Sequence, residues 1–232
     1  MKNLSYLFAI LCLTSVSVFA ADVKSNAPAP VTKAPAPAPM VVVDDFEDGN
    51  ITASPEWWKF DRVLLNVVDN KKGEFKYLGG NSVSIEGSTV NWYIGGLGTY
   101  LGLDAKNHDR VRVLVWGGGA DSGTIKIELI DDDNRNWQCD INKAKGWEPI
   151  ADDKFVYFLA VDWSGWKSID IPFRDFEDEN PQVGDNKWNP DQADSSGGLL
   201  QFQMIFLSSK KAVGKINAKI DSIKIVKGVA AE

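Results

Sequence analysis

The sequence predicts an all-β domain, an antiparallel two-sheet β-sandwich. Three observations carry this: apolar and polar residues alternate at period two over much of the chain after Val41, turn signals separate those runs, and no 3.6-residue periodicity persists beyond one or two helical turns. The turn signals are Gly79-Gly80-Asn81, Gly95-Gly96, Gly117-Gly118-Gly119 and Ser195-Ser196-Gly197-Gly198. About eight to ten strands are expected.

In chain order, residues 1–20 come first. Lys2 supplies a basic start, an apolar stretch follows, and Ala20 and Ala21 are small, the pattern of a signal peptide cleaved near Ala20/Ala21. The expected location is therefore secreted or periplasmic. The apolar stretch is too short for a membrane span, and no later run approaches the required length. Cys12 leaves with the leader, so Cys139 remains without a disulfide partner and stability must come from core packing, helped at most by a metal.

Residues 21–40 are rich in Ala-Pro and read as a semi-rigid extended tether, which could hold a protein partner or simply set a distance. Residues 41–228 form the domain, long enough for one hydrophobic core. The formal net charge of -7 becomes one unit more negative once Lys2 is removed. An acidic surface disfavours nucleic acid and suits neutral ligands and divalent cations.

The domain opens with VVVDDFEDGN, Val41–Asn50. Strand alternation there sends Phe46 to the core and Asp45 and Glu47 to the other face. The Trp57-Trp58 pair after Pro55 is expected to cover one end of the sandwich. Val111, Val113 and Val115 alternate with Arg112, Leu114 and Trp116, and Ile125, Ile127 and Leu129 alternate with Lys126, Glu128 and Ile130. Asp131-Asp132-Asp133-Asn134 reads as a turn, with Trp137, Cys139 and Ile141 on a returning strand. Lys154–Asp162 is apolar on both faces, as in a central strand. In Asp162–Phe176 most aromatic residues read as core anchors. A long polar loop follows, Glu177–Gly198, then a strand in which Leu200, Phe202, Met204 and Phe206 alternate with Gln201, Gln203, Ile205 and Leu207. Ile216–Lys227 closes the domain and carries a lone acid, Asp221.

Asp45, Glu47, Asp48 and Asn50 form an oxygen-rich set that a hard cation such as Ca²⁺ uses, and Asp221 completes it if the first and last strands are neighbours. The same residues equally read as a solvated acidic edge that resists aggregation.

Taken in order, DDFEDG, GWKSIDIPFRDF and IDSIKI resemble the galactose-binding-like jelly rolls of the family 11 carbohydrate-binding modules and the related complex I intermediate-associated proteins. The resemblance spans roughly residues 41–227. It implies a jelly roll, a structural calcium with Asp45, Glu47 and Asp221 as matching positions, and a concave sheet face that binds a polysaccharide.

Candidate ligand residues come from the outward sides of strands: Arg112 and Trp116, Gln201 and Gln203, Tyr93, and Trp137 on a hairpin loop. Sugar rings stack on flat aromatic faces, and their hydroxyls need amide, guanidinium or carboxylate partners. His108 stands alone, so a histidine triad or a multi-histidine metal centre is not expected. A glycosidase needs only two of the 32 acids, yet none has a recognisable catalytic context. The expected protein is a secreted, monomeric, non-catalytic polysaccharide binder. The alternatives are an envelope assembly protein using the sandwich for protein contacts and, third, a small glycoside hydrolase.

Overall fold

A computed structural model describes residues 39–209 and 212–228. The leader and all but the last two residues of the tether lie outside the described residues. Strands β1 (Met40–Asp44), β2 (Trp57–Asp61), β3 (Leu64–Asp69), β4 (Asn81–Thr89) and β5 (Tyr93–Leu103) come first. Then follow β6 (Arg110–Gly118), β7 (Thr124–Asp131), and the two-residue strands β8 (Ile141–Asn142) and β9 (Glu148–Pro149). The chain finishes with β10 (Lys154–Ala160), β11 (Ser164–Pro172), the short β12 (Glu177–Asp178), β13 (Leu199–Leu207) and β14 (Gly214–Val226).

They form two antiparallel sheets. The first runs β11-β6-β14-β4-β3, with β1 pairing the last residues of β14; the second runs β12-β10-β7-β13-β5-β2. The antiparallel two-sheet sandwich expected from period-two patterning is present, as is the jelly roll that the resemblance implies, and the helical segments among the described residues are 3₁₀ turns of three residues. The core sits between the sheets. Val111, Val113 and Val115 of β6 and Ile216, Ala218 and Ile220 of β14 are buried on one side, against Ile125, Ile127 and Leu129 of β7 and Phe202, Met204 and Phe206 of β13. Every one of these belongs to an alternating run whose other members point outward.

Three local expectations fail for physical reasons. First, Phe46 is fully buried, but a turn puts it there. β1 ends at Asp44, whose Oδ1 accepts from Phe46 N at 2.7 Å, and Phe46 has φ 56°. Second, Trp137, Cys139 and Ile141 form no returning strand beside β7, whose neighbours are β10 and β13. Asp132, Asn134 and Asn136 side chains accept backbone N–H groups of residues 136–138, and Arg135 and Trp137 adopt positive φ, so local side-chain bonds replace the ladder. Third, Trp57 and Trp58 do not cap the sandwich. They form part of the edge strand β2, with Trp57 in the core and Trp58 on the outer surface.

β10 lies one strand in from the edge of its sheet. Only its first residues are covered by β12, which leaves Phe158 exposed.

Candidate functional site

Each sheet has an outer face. That of the second sheet is assembled from aligned cross-strand rows. In one row Trp58 stands beside Gly98, then Gln203, Glu128 and Val156. In the next, Phe60 stands beside Gly96, then Ile205, Lys126 and Phe158. A third carries Tyr100, Gln201, Ile130 and Lys154.

Two glycines explain how the aromatic rings lie. A Cβ on Gly98 would meet the Trp58 indole at 2.7 Å, and one on Gly96 would overlap the Phe60 ring. The missing side chains let both rings lie over the β5 backbone instead of standing away from it. Trp58 is 36% exposed and Tyr100 44% exposed. The Tyr100 hydroxyl donates to the Trp137 carbonyl at 3.1 Å, and Trp137, also 44% exposed, donates its indole N–H to the Ser195 carbonyl at 2.9 Å. Trp137 is thereby pinned beside Tyr100. On the far side of the sheet, Phe158 of β10 stands four strand spacings or about 19 Å from β2.

Polar groups fill the middle. Gln203 Nε2 donates to Gln201 Oε1 at 2.8 Å, which leaves the other amide atoms of the pair for a ligand. Lys126 Nζ contacts Glu128 at 2.7 Å and Glu179 at 2.6 Å, and Lys154 Nζ contacts Glu179 at 3.0 Å and also Glu148. Burial works to raise the Glu179 pKa, but hydrogen bonds from Lys126 and Lys154 prevail and lower it. For Lys154 burial opposes the charge, while Glu128, Glu148 and Glu179 outweigh it and raise the pKa. The Tyr93 hydroxyl bonds Asp61; burial, then that carboxylate, push its pKa up.

The lowered Glu179 pKa has a checkable sign. Its stabilisation is complete above the ordinary glutamate range and disappears as the pH falls through the folded value. Glu179→Gln is expected to cost about 1 kcal/mol at pH 7, discounted for the partial exposure of the side chain, and progressively less as the pH falls below the ordinary glutamate range. Urea midpoints of both proteins across that range test it; a pH-independent difference would exclude the ionic origin.

Of the residues singled out from sequence, Gln201, Gln203 and Tyr93 belong to the second sheet, and Trp137 is fastened at its margin. Arg112 and Trp116 do not join them. Both lie on the outer face of the first sheet, where Arg112 forms a two-pronged pair with Asp170 (2.7 and 2.9 Å) and Lys219 lies 5.3 Å over the Trp116 ring. Sequence reasoning missed Trp58, Phe60 and Tyr100. The signal was available, because Trp58 and Phe60 are two residues apart, as are Gly96 and Gly98.

The first and last strands do meet. Glu47 accepts from Gly80 N at 3.0 Å and Asn81 N at 2.8 Å, and Asp221 Oδ2 accepts from Gly79 N at 3.1 Å. Asp221 Oδ1 is buried without a partner, and burial, followed by repulsion from Glu47 and Asp45, pushes the Asp221 pKa up to about 6. Asp45 is exposed and accepts only a long 3.4 Å contact from Glu47 N. Of Asp45, Glu47 and Asp221, only Asp221 has a buried carboxylate oxygen without a partner, and the three do not bring their oxygens within 4.8 Å of one another as a metal-holding group.

The fold and this face define a β-sandwich with one aromatic, amide-lined sheet surface. No protein-family model matches the chain, and no curated protein does. Among solved structures it is similar to the family 11 carbohydrate-binding module of a cellulosomal cellulase of Clostridium thermocellum, with 16% identity, TM-score 0.48, and coverage of 85% of this chain and 99% of that one. The family 11 module from the same organism in complex with a β-1,3-1,4-mixed-linked tetrasaccharide gives 16% identity, TM-score 0.48 and coverage of 83% and 98%. The xylan-binding CBM22-1 domain of a Paenibacillus barcinonensis xylanase gives 13% identity, TM-score 0.41 and coverage of 84% and 100%. Among the described residues no helix is long and apolar enough to cross a membrane.

Proposed function

We propose that this protein is a non-catalytic polysaccharide-binding protein, and that the chain of sugars lies across the outer face of the second sheet. The observation that carries the reading is the strip of Trp58, Phe60, Tyr100 and Trp137 beside the Gln201–Gln203 amide pair. Flat rings accept the C–H faces of pyranoses, and side-chain amides and carboxylates satisfy the hydroxyls that would otherwise be desolvated without partners. An acidic, neutral-ligand surface agrees with this class of ligand. The reading includes export through the leader at residues 1–20 and a structural calcium at Asp221 with Asp45 and Glu47, supported by the unpartnered Asp221 Oδ1.

Electrophoresis through native gels containing soluble β-glucan, xylan or mannan tests the proposal. Retardation by at least one of them is expected, without release of reducing sugar on prolonged incubation. Unchanged mobility in all of them, together with a silent glycan array, would remove it.

A further inference from the structure

A second acidic cluster lies at the end of the sandwich where β7 runs out and β10 begins. Asp131 ends β7, Asp133 follows in the turn, and Asp153 immediately precedes β10. One carboxylate oxygen from each lies within 4.8 Å of the others. Asp131 and Asp153 are wholly buried, and Asp133 is half-buried.

The bonding pattern repeats three times. Asp131 Oδ2 accepts from Asn189 N at 2.9 Å, Asp133 Oδ2 from Asp153 N at 2.9 Å, and Asp153 Oδ2 from Lys187 N at 3.0 Å. In all three residues the other oxygen, Oδ1, is buried with no hydrogen-bond partner. Backbone N–H groups favour the ionised form and fix its orientation, as the supporting layer around a metal does. Yet no basic side chain among the described residues pairs with the cluster; Lys154 is engaged by Glu148 and Glu179, and Lys187 Nζ by Asp185. Several buried negative charges are costly, so the cluster either takes up protons or holds a cation, and three buried oxygens left without hydrogen-bond partners fit the cation.

The surrounding loop is fitted closely. Gly184 has φ 68°, and a Cβ there would overlap the carboxylate oxygens of Asp153 and Asp133, so the backbone itself closes over the cluster. Oxygen ligands on opposite sides of Ca²⁺ are separated by about 4.6 to 5.2 Å, and on opposite sides of Mg²⁺ by about 4.0 to 4.2 Å. The three oxygens lie within such reach of one another, and a buried, all-carboxylate set suits Ca²⁺, because Mg²⁺ gives up its waters reluctantly.

From these contacts we propose that Asp131, Asp133 and Asp153 form a calcium site that fastens the 184–189 loop to the end of β7. The same turn holds Asp132, whose carboxylate accepts from Trp137 N at 3.2 Å and Gly197 N at 2.6 Å, so the ion also steadies the loop that presents Trp137.

The test uses chelator-stripped protein titrated with CaCl₂ by calorimetry, and with Tb³⁺ read as luminescence excited through tryptophan; Trp188 lies in the loop between the two amide donors. Calcium binding and terbium emission are expected in the parent protein. Asp133→Asn and Asp153→Asn should each weaken one calcium-binding event and the terbium emission excited through Trp188 by about tenfold or more, whereas Asp221→Asn affects at most the separate calcium assigned to Asp221 and leaves the Trp188-sensitised emission in place. Asp133→Asn guards against a folding artefact, because its amide oxygen can still accept the Asp153 N–H; its circular dichroism should match the parent. Absence of calcium binding in the parent overturns the proposal. So does a signal that survives in both Asp133→Asn and Asp153→Asn and disappears in Asp221→Asn.

Discussion

Trp58→Ala is expected to weaken polysaccharide binding by about 2 kcal/mol, roughly thirtyfold in Kd, while the protein stays folded. The indole is partly exposed on the edge strand β2, and its removal uncovers the bare backbone at Gly98. The stacking platform goes; the core residue Trp57 on the opposite side of the same strand stays. Trp58→Phe should restore part of the affinity, because a smaller flat ring remains. Arg112→Ala and Trp116→Ala on the other sheet separate the two faces, and binding close to the parent value is expected for both. The measurement is retardation against polysaccharide concentration in native gels. Should Trp58→Ala bind normally and Trp116→Ala fail, the ligand lies on the first sheet and this assignment is wrong.

How far the sequence leads to that face can be traced residue by residue. Alternation in β6, β7 and β13 correctly divides inward from outward side chains, because a strand repeats every two residues and the core accepts only one side. Alternation carries no information on which sheet a strand joins. Arg112 and Gln203 look equivalent in the sequence, yet β6 pairs with β11 and β14 while β13 pairs with β5 and β7. That pairing is set by contacts far apart in the chain.

The Asp131–Asp153 region was hidden for a different reason. Its acids and amides read as a turn followed by a strand, but Asp132, Asn134 and Asn136 bind nearby backbone N–H groups and hold the chain in a loop. The buried cluster then forms only because residues 184–189 fold over it. At the other end, DDFEDG and IDSIKI were legible as partners, since strand pairing brings β1 beside β14. The extra residue in β14, Ser222 at φ 53°, was not, because a β-bulge leaves little mark on the hydrophobic pattern.

Phe46→Ala is expected to destabilise the fold by about 3 to 5 kcal/mol, the largest effect of any single change argued for stability. Its ring is fully buried, 6.2 Å from that of Trp57, which in turn meets Phe202 edge-on at 6.2 Å. Asp44 ties the two ends of this unit together, accepting from Phe46 N through Oδ1 and from the Trp57 indole through Oδ2 at 2.7 Å each. Truncation leaves a cavity between β1 and β2 that a turn fixed by those bonds cannot collapse to fill. The backbone supplies a second, discriminating expectation. Because Phe46 sits at φ 56°, where a side chain costs about 1 kcal/mol and glycine costs nothing, Phe46→Gly should be no worse than Phe46→Ala and slightly milder. In an ordinary strand glycine would be the more damaging of the two. Chemical denaturation of the three proteins decides the point, since a Phe46→Gly variant less stable than Phe46→Ala by about 1 kcal/mol would mean that the left-handed turn after Asp44 is absent in solution.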